Sequence, residues 1–248
     1  MLTPNAPELP VLSEADIKEK LHRHPEWIRD CYEEYAESAK TVPDPDNRKH
    51  AEDPRRADFS DSQLERKDWH EVDARGANFS GSVFPKNANL FVAHLEHADL
   101  FRAHLEKANL HGAHLEHAFL FRANLEHADL SWAGLEFADM REVYLENAHL
   151  SFAQLKRAEL SGAHLVHVDL NGANLEGADL SLANLVEVNL FGTNLKGSNL
   201  SEATMTNVFA READFSGAHF IATKIRSCDF SYAIFRGAVV ETFKNATD

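Results

Sequence analysis

Cysteine is nearly missing from this chain: Cys31 and Cys228 are the only two in 248 residues, far apart and outside any CxxC spacing. That excludes a disulfide framework and a thiolate metal knuckle, and it fits a reducing compartment, so a cytoplasmic location is expected. Positive charge is also short: 25 Lys and Arg stand against 40 Asp and Glu, a formal net charge of −15. A sequence-independent grip on phosphates needs the opposite balance, so no direct nucleic-acid binding is expected. No run approaches the ~18 apolar residues of a membrane span. The opening MLTPNAPELPVL lacks the basic-then-apolar order of a secretory signal. A Gly-rich phosphate loop, a nucleophile elbow and an HExxH pair are likewise absent. The expectation is a protein that is not an enzyme and takes no cofactor.

What the chain does have is a repeat. Residues 88–110 read ANLFVAHLEHADLFRAHLEKANL, with Leu90, Leu95, Leu100, Leu105 and Leu110 at every fifth position and Ala two places before each. Five is neither the helical period of about 3.6 nor the strand period of 2. The register runs unbroken from Leu90 to Val240, 31 units; from 90 to 200 the central residue is Leu in 22 of 23, Met140 being the exception. Call the central residue i. One small and one large apolar residue per five suggest a short straight face ending in a sharp corner, and four such faces close a square coil. Residues i and i−2 then fill a narrow bore, and backbone groups pair with coils above and below at about 4.8 Å. Leu90, Leu95, Leu100, Leu105, Leu110, Met140, Phe215, Phe220, Phe230 and Phe235 are the expected core. Asp or Asn at i−1 (Asn89, Asp99, Asn109) is expected to serve the corner by bonding nearby backbone.

The units ADLFR at 98–102, ANLHG at 108–112, ADLSW at 128–132 and ANLEG at 173–177 follow the pattern A(D/N)LXX. In this the chain resembles the pentapeptide-repeat family. The resemblance implies an all-β solenoid, a right-handed quadrilateral β-helix of about nine coils. A rougher block precedes the clean one, with centres Phe59, Leu64, Trp69, Ala74, Phe79 and Phe84; the step from Phe84 to Leu90 is six, which places one inserted residue near Pro85. Lys67 in an inward slot and Trp69 at a centre predict a distorted first coil. The domains expected are an N-terminal helical cap at 1–40, a linker at 41–56, the β-helix at 57–240 and a short tail at 241–248. Within the cap, an N-cap at Ser13 starts one helix over about 14–23 and Pro25 starts a second, whose apolar stripe is Trp27, Cys31 and Tyr35. These helices either cover the open end of the solenoid or dock a partner.

Residues 20 apart should stack on one outer face. Glu96, Glu116 and Glu136 then form an acidic file, Phe101 and Phe121 an aromatic one, and His94 with His114 and His97 with His117 two imidazole files expected to respond to pH between 5 and 7. Parallel files are expected to splay, and no outer shell supports a metal, so no metal site is expected. Trp132, Phe137, Arg141 and Tyr144 depart from the repeat, and the outer face around 132–144 is the expected contact surface. The function expected is an interaction scaffold presenting an acidic rod to a protein partner with a basic surface, with a homodimer through the C-terminal coil as a further expectation. The alternative comes through the resemblance: some family members mimic duplex DNA and bind type II topoisomerases such as gyrase, inhibiting them or protecting them from quinolones. Against it stand an unbroken register with no projecting loop and a short C-terminal tail where such members carry a dimer helix.

Overall fold

The fold is taken from a computed structural model, which describes residues 9–37 and 56–241, the backbone alone for 27–37. Residues 41–55 of the expected linker and 242–248 of the expected tail, and the side chains of Trp27, Cys31 and Tyr35, lie outside the described residues.

Each pentapeptide forms one side of a square coil, because residue i−1 bridges in parallel to the residue 20 further on. One ladder runs through Asp58, Asn78, Asp99, Phe119, Asp139, Glu159, Asp179, Asn199, His219 and Val239. The Pro85 insertion is absorbed in one circuit: Asp68 pairs with Asn89 and Val83 with His104 at a spacing of 21, after which the spacing returns to 20. Longer pairings are β3 (His164–Val166), β4 (Asn184–Val186), β5 (Thr204–Thr206), β6 (His219–Ile221), β7 (Lys224–Arg226) and β8 (Val239–Glu241), in parallel orders β3-β4-β5-β7 and β6-β8. The result is a quadrilateral β-helix whose bore is filled by leucine and alanine, nearly all of them 0–1% exposed.

The corners are four-residue turns closed by bonds such as Ala93 N–H to the Leu90 carbonyl at 3.0 Å. The third turn residue, at i+2, has φ near +60°, as at Val92, His97 and Trp132. Ten of the 11 glycines occupy this position, where a missing Cβ removes the strain; the eleventh is Gly134. Asp and Asn at i−1 are therefore not corner residues. They sit on the flat face and brace the corner from there, as Asp99 Oδ1 does by accepting the Phe101 N–H at 3.0 Å.

The first coil departs from the repeat as its sequence does. Lys67 turns outward, and Trp69 is fully buried with its Nε1–H on the Arg66 carbonyl at 2.8 Å. Its ring packs with Phe59, Phe79 and Phe84 at centroid distances of 5.5–5.7 Å. The open edge is covered by β1 (Val11–Leu12), which pairs in parallel with β2 (Gln63–Leu64), and by α1 (Glu14–Glu37). The expected break at Pro25 does not occur: α1 is one helix with Pro25 inside it. Proline removes one helical bond, but the turns before it are pinned to the coil by tertiary contacts. Ile17 is fully buried, Leu12 and Leu21 pack on the core, and buried His24 accepts the Ala57 N–H at 3.0 Å through Nδ1 and meets the Arg75 carbonyl at 2.8 Å through Nε2. Nothing in the sequence singled out His24.

At the other end Phe215 and Phe220 are buried as expected, but Phe230 is only partly buried and Phe235 is 41% exposed. Both still join the bore, Phe235 stacking on Phe215 at 5.1 Å and 9°. No described coil lies beyond them.

Candidate interaction surface

Number the faces by their centres: face 1 carries Leu90, Leu110 and Leu130; face 2 Leu95, Leu115 and Leu135; face 3 Leu100, Leu120 and Met140; face 4 Leu105, Leu125 and Leu145. A stretch such as 132–144 spans more than half a circuit, so it is not one surface. Trp132 stands at the corner between faces 1 and 2, where it stacks on Phe152 at 4.7 Å. Tyr144 lies on face 4, stacked on His164 at 4.7 Å. The remaining predicted residues do come together, on face 3 and its two corners.

The corner between faces 2 and 3 carries Glu96, Glu116 and Glu136 at i+1 and His97, His117 and Phe137 at i+2. The ring column is continuous: His97 on His117 at 4.9 Å and 7°, His117 on Phe137 at 5.0 Å and 2°. Beside it on face 2, His94 and His114 stack at 4.8 Å and 4°. These files therefore do not splay, because the ladder holds each Cα directly above the one 20 residues before it. Glu96 Oε1 lies 3.4 Å from His94 Nδ1, and Glu116 Oε1 lies 3.6 Å from His114 Nδ1. The other carboxylate oxygen of Glu96, Glu116 and Glu136 is enclosed and has no hydrogen-bond partner. Gly134 continues the His94–His114 file without a side chain, and the Glu116 carboxylate occupies the space a Cβ would take.

The corner between faces 3 and 4 carries Phe101, Phe121 and Arg141 in one file. Arg141 lies 5.4 Å over the Phe121 ring and is held by Asp139 through Nε–Oδ1 at 2.8 Å. Arg102 and Arg122 cover the Phe101 and Phe121 rings at 4.9 and 5.0 Å, and Phe119 on face 3 stacks on Phe101 at 6.0 Å. The surface is thus an acidic-imidazole rim, a central face with Asp99, Phe119 and Asp139, and an arginine-aromatic rim. Burial pushes the Asp99 carboxyl up. An open cleft of about 410 Å³ elsewhere, between the start of α1 and the first coil, is lined by Glu14, Glu65, Arg66, Lys67 and Asp68.

Burial, and after it the charge of His117, pulls the His97 pKa down to about 4; His117 is also pulled down by burial, against Glu116 and Glu136. Between the unfolded value near 6.5 and the folded value near 4, the unfolded chain binds the extra proton. Stability is therefore full at pH 7 and falls as pH drops from about 6.5 to 4. Allowing for a partly exposed ring, the loss is about 1–2 kcal/mol. Asparagine tolerates the positive φ at this position, so His97→Asn is expected to flatten the decline of the thermal midpoint between pH 7 and 4; an equally steep decline in the variant would assign the effect elsewhere.

Fold and surface together define a repeat solenoid with a filled bore and a chemically varied exterior. The chain belongs to the pentapeptide-repeat family: the family pattern matches in 8 copies, at residues 55–85, 88–130 and in overlapping stretches up to 240. Among solved structures it is similar to HetL, a pentapeptide repeat protein involved in heterocyst differentiation regulation from the cyanobacterium Nostoc, at 29% identity over 74% of this chain and 80% of that one, TM-score 0.46. It is similar also to trypsin-treated QnrB1, a plasmid-mediated fluoroquinolone resistance protein, at 15% identity over 74% of this chain and 89% of that one, TM-score 0.46. A third is Rfr23 from the cyanobacterium Cyanothece, at 30% identity over 45% of this chain and 63% of that one, TM-score 0.28. A search of curated proteins found no match. Among the described residues no helix is long and apolar enough to cross a membrane.

Proposed function

We propose that the protein is a non-enzymatic scaffold that binds a protein partner through face 3 and its two corners. The observation that carries this reading is the file of part-exposed carboxylates Glu96, Glu116 and Glu136, standing one coil apart beside an aromatic column. Glu96 and Glu116 are part-exposed, and lysine or arginine side chains of a partner would pair with the accessible side of these carboxylates. Phe101 and Phe121, already overlaid by arginines, supply apolar area on the opposite rim. The test is affinity capture with the intact chain against Phe101→Ala/Phe121→Ala. A protein held by the wild type and weakened at least about tenfold in the variant supports the surface; equal retention removes it.

A second reading is that the partner is a type II topoisomerase and the acidic rod imitates duplex DNA. The regular carboxylate file favours it, together with the net −11 of the chain beyond residue 56, where 16 Lys and Arg stand against 27 Asp and Glu. A gyrase supercoiling assay with and without a quinolone tests it: inhibition or drug protection at micromolar protein supports it, and no effect leaves the scaffold reading alone.

The C-terminal coil supports dimerisation as part of the same proposal. Ile225, Ile234, Phe235 and Val240 are 41–67% exposed in the last described coils. Light scattering at tens of micromolar is expected to give twice the chain mass, and Val240→Asp to give the monomer. A monomer in the wild type contradicts the contact.

A further inference from the structure

We propose that His94, Glu96 and His114 form a binding site for a divalent transition-metal ion of the zinc class. Each offers one ligand atom, and the three atoms lie within 4.8 Å of one another. Two imidazoles and one carboxylate are a donor set that suits zinc, and an ion held by three protein ligands keeps an open position for water or a further group. None of the three is fully buried, so an ion reaches them from solvent.

Three features beyond the donor set point the same way. The two rings are stacked one coil apart, at 4.8 Å and 4°, on a ladder that fixes both backbones. Tetrahedral bonds of about 2.0–2.1 Å place two ligand nitrogens ~3.3 Å apart, so side-chain torsions have to tilt the two rings toward a common point and close the remaining gap. The second Glu96 oxygen is enclosed and has no partner, leaving a negative group that a cation would neutralise. Glu116 Oε1 lies 3.6 Å from His114 Nδ1, where it can pair with the ring N–H that a ligating histidine leaves free. The absence of a side chain at Gly134 is what lets Glu116 take that position. The chain also contains its own control. His104 meets Glu106 at 3.1 Å, much as His94 meets Glu96, but residue 124, one coil above His104, is asparagine.

This proposal does not rest on the partner reading, since its readout is metal binding by the isolated chain. Untagged full-length protein at pH 7 would be titrated with Zn²⁺ by calorimetry, and with Co²⁺ for its ligand-field spectrum. The wild type is expected to bind one ion with a rise in thermal midpoint. His94→Ala and His114→Ala are each expected to weaken binding by at least about the 10–100-fold that outer partners alone are worth. His104→Ala is expected to change nothing. No binding by the wild type, or equal binding by His94→Ala and His114→Ala, overturns the site. Circular dichroism on each variant keeps loss of fold apart from loss of ligand.

Discussion

Leu135→Ala is expected to lower the unfolding free energy by about 2–5 kcal/mol, a large part of the total for a protein of ordinary stability. Leu135 is fully buried on face 2, between Leu115 below and Leu155 above. The backbone cannot collapse around the lost methyl groups, because Leu135 N–H is tied to the Gln154 carbonyl at 2.7 Å and Gly134 N–H to the Ala113 carbonyl at 2.9 Å. A cavity is left, and its cost adds to the lost transfer energy. The lesion also sits mid-stack. In a quasi-one-dimensional solenoid each coil is stabilised by its neighbours, so a weak central coil uncouples the two halves. Leu182→Ala provides the contrast: Leu182 is 60% exposed at an outer corner, and the same truncation there is expected to cost under about 1 kcal/mol. Urea unfolding monitored by circular dichroism checks both through the midpoint and slope. Equal midpoints for the two variants would contradict the filled-bore account.

The bore was legible in the sequence because the fold permits only two inward positions per five residues, and leucine and alanine recur there without interruption. The Pro85 insertion was legible too, as a single six-residue step. The corners are half legible: Asn89, Asp99 and Asn109 at i−1 do accept the corner N–H two residues on, whereas glycine at i+2 (Gly112, Gly162, Gly172) marks the left-handed residue itself. The N-terminal helix runs through the expected break at Pro25. Proline's local cost argued for a break, and the contacts that override it come from residues far along the chain, His24 with Ala57 and Arg75 among them. Phe230 and Phe235 obey the repeat yet are less buried than Phe215 and Phe220. The outer surface was half legible. Twenty-residue stacking placed the Glu, His and Phe files correctly, but sequence neighbours such as Trp132 and Tyr144 turn onto other sides of the square.

The second large expected effect is loss of the partner on reversing the acidic rim. Glu96→Lys/Glu116→Lys/Glu136→Lys changes the charge by +6 along one file. It replaces three acceptors with three ammonium groups stacked at the coil spacing, and like charges across an interface cost several kcal/mol. These side chains are part-buried, so the thermal midpoint of the variant is compared with that of the wild type before capture. A matched control exists on the diagonally opposite corner: Glu106→Lys/Glu126→Lys/Glu146→Lys makes the same charge change on the file between faces 4 and 1. Net charge, and with it nonspecific adhesion, is then equal in the two variants. The most direct measurement is quantitative affinity capture with the wild type and both triple variants, all verified as folded. The account predicts a protein bound by the wild type and by the Glu106/Glu126/Glu146 variant and released by the Glu96/Glu116/Glu136 variant. Equal loss in both would mean that only overall charge matters, and equal retention in both would place the contact elsewhere on the rod.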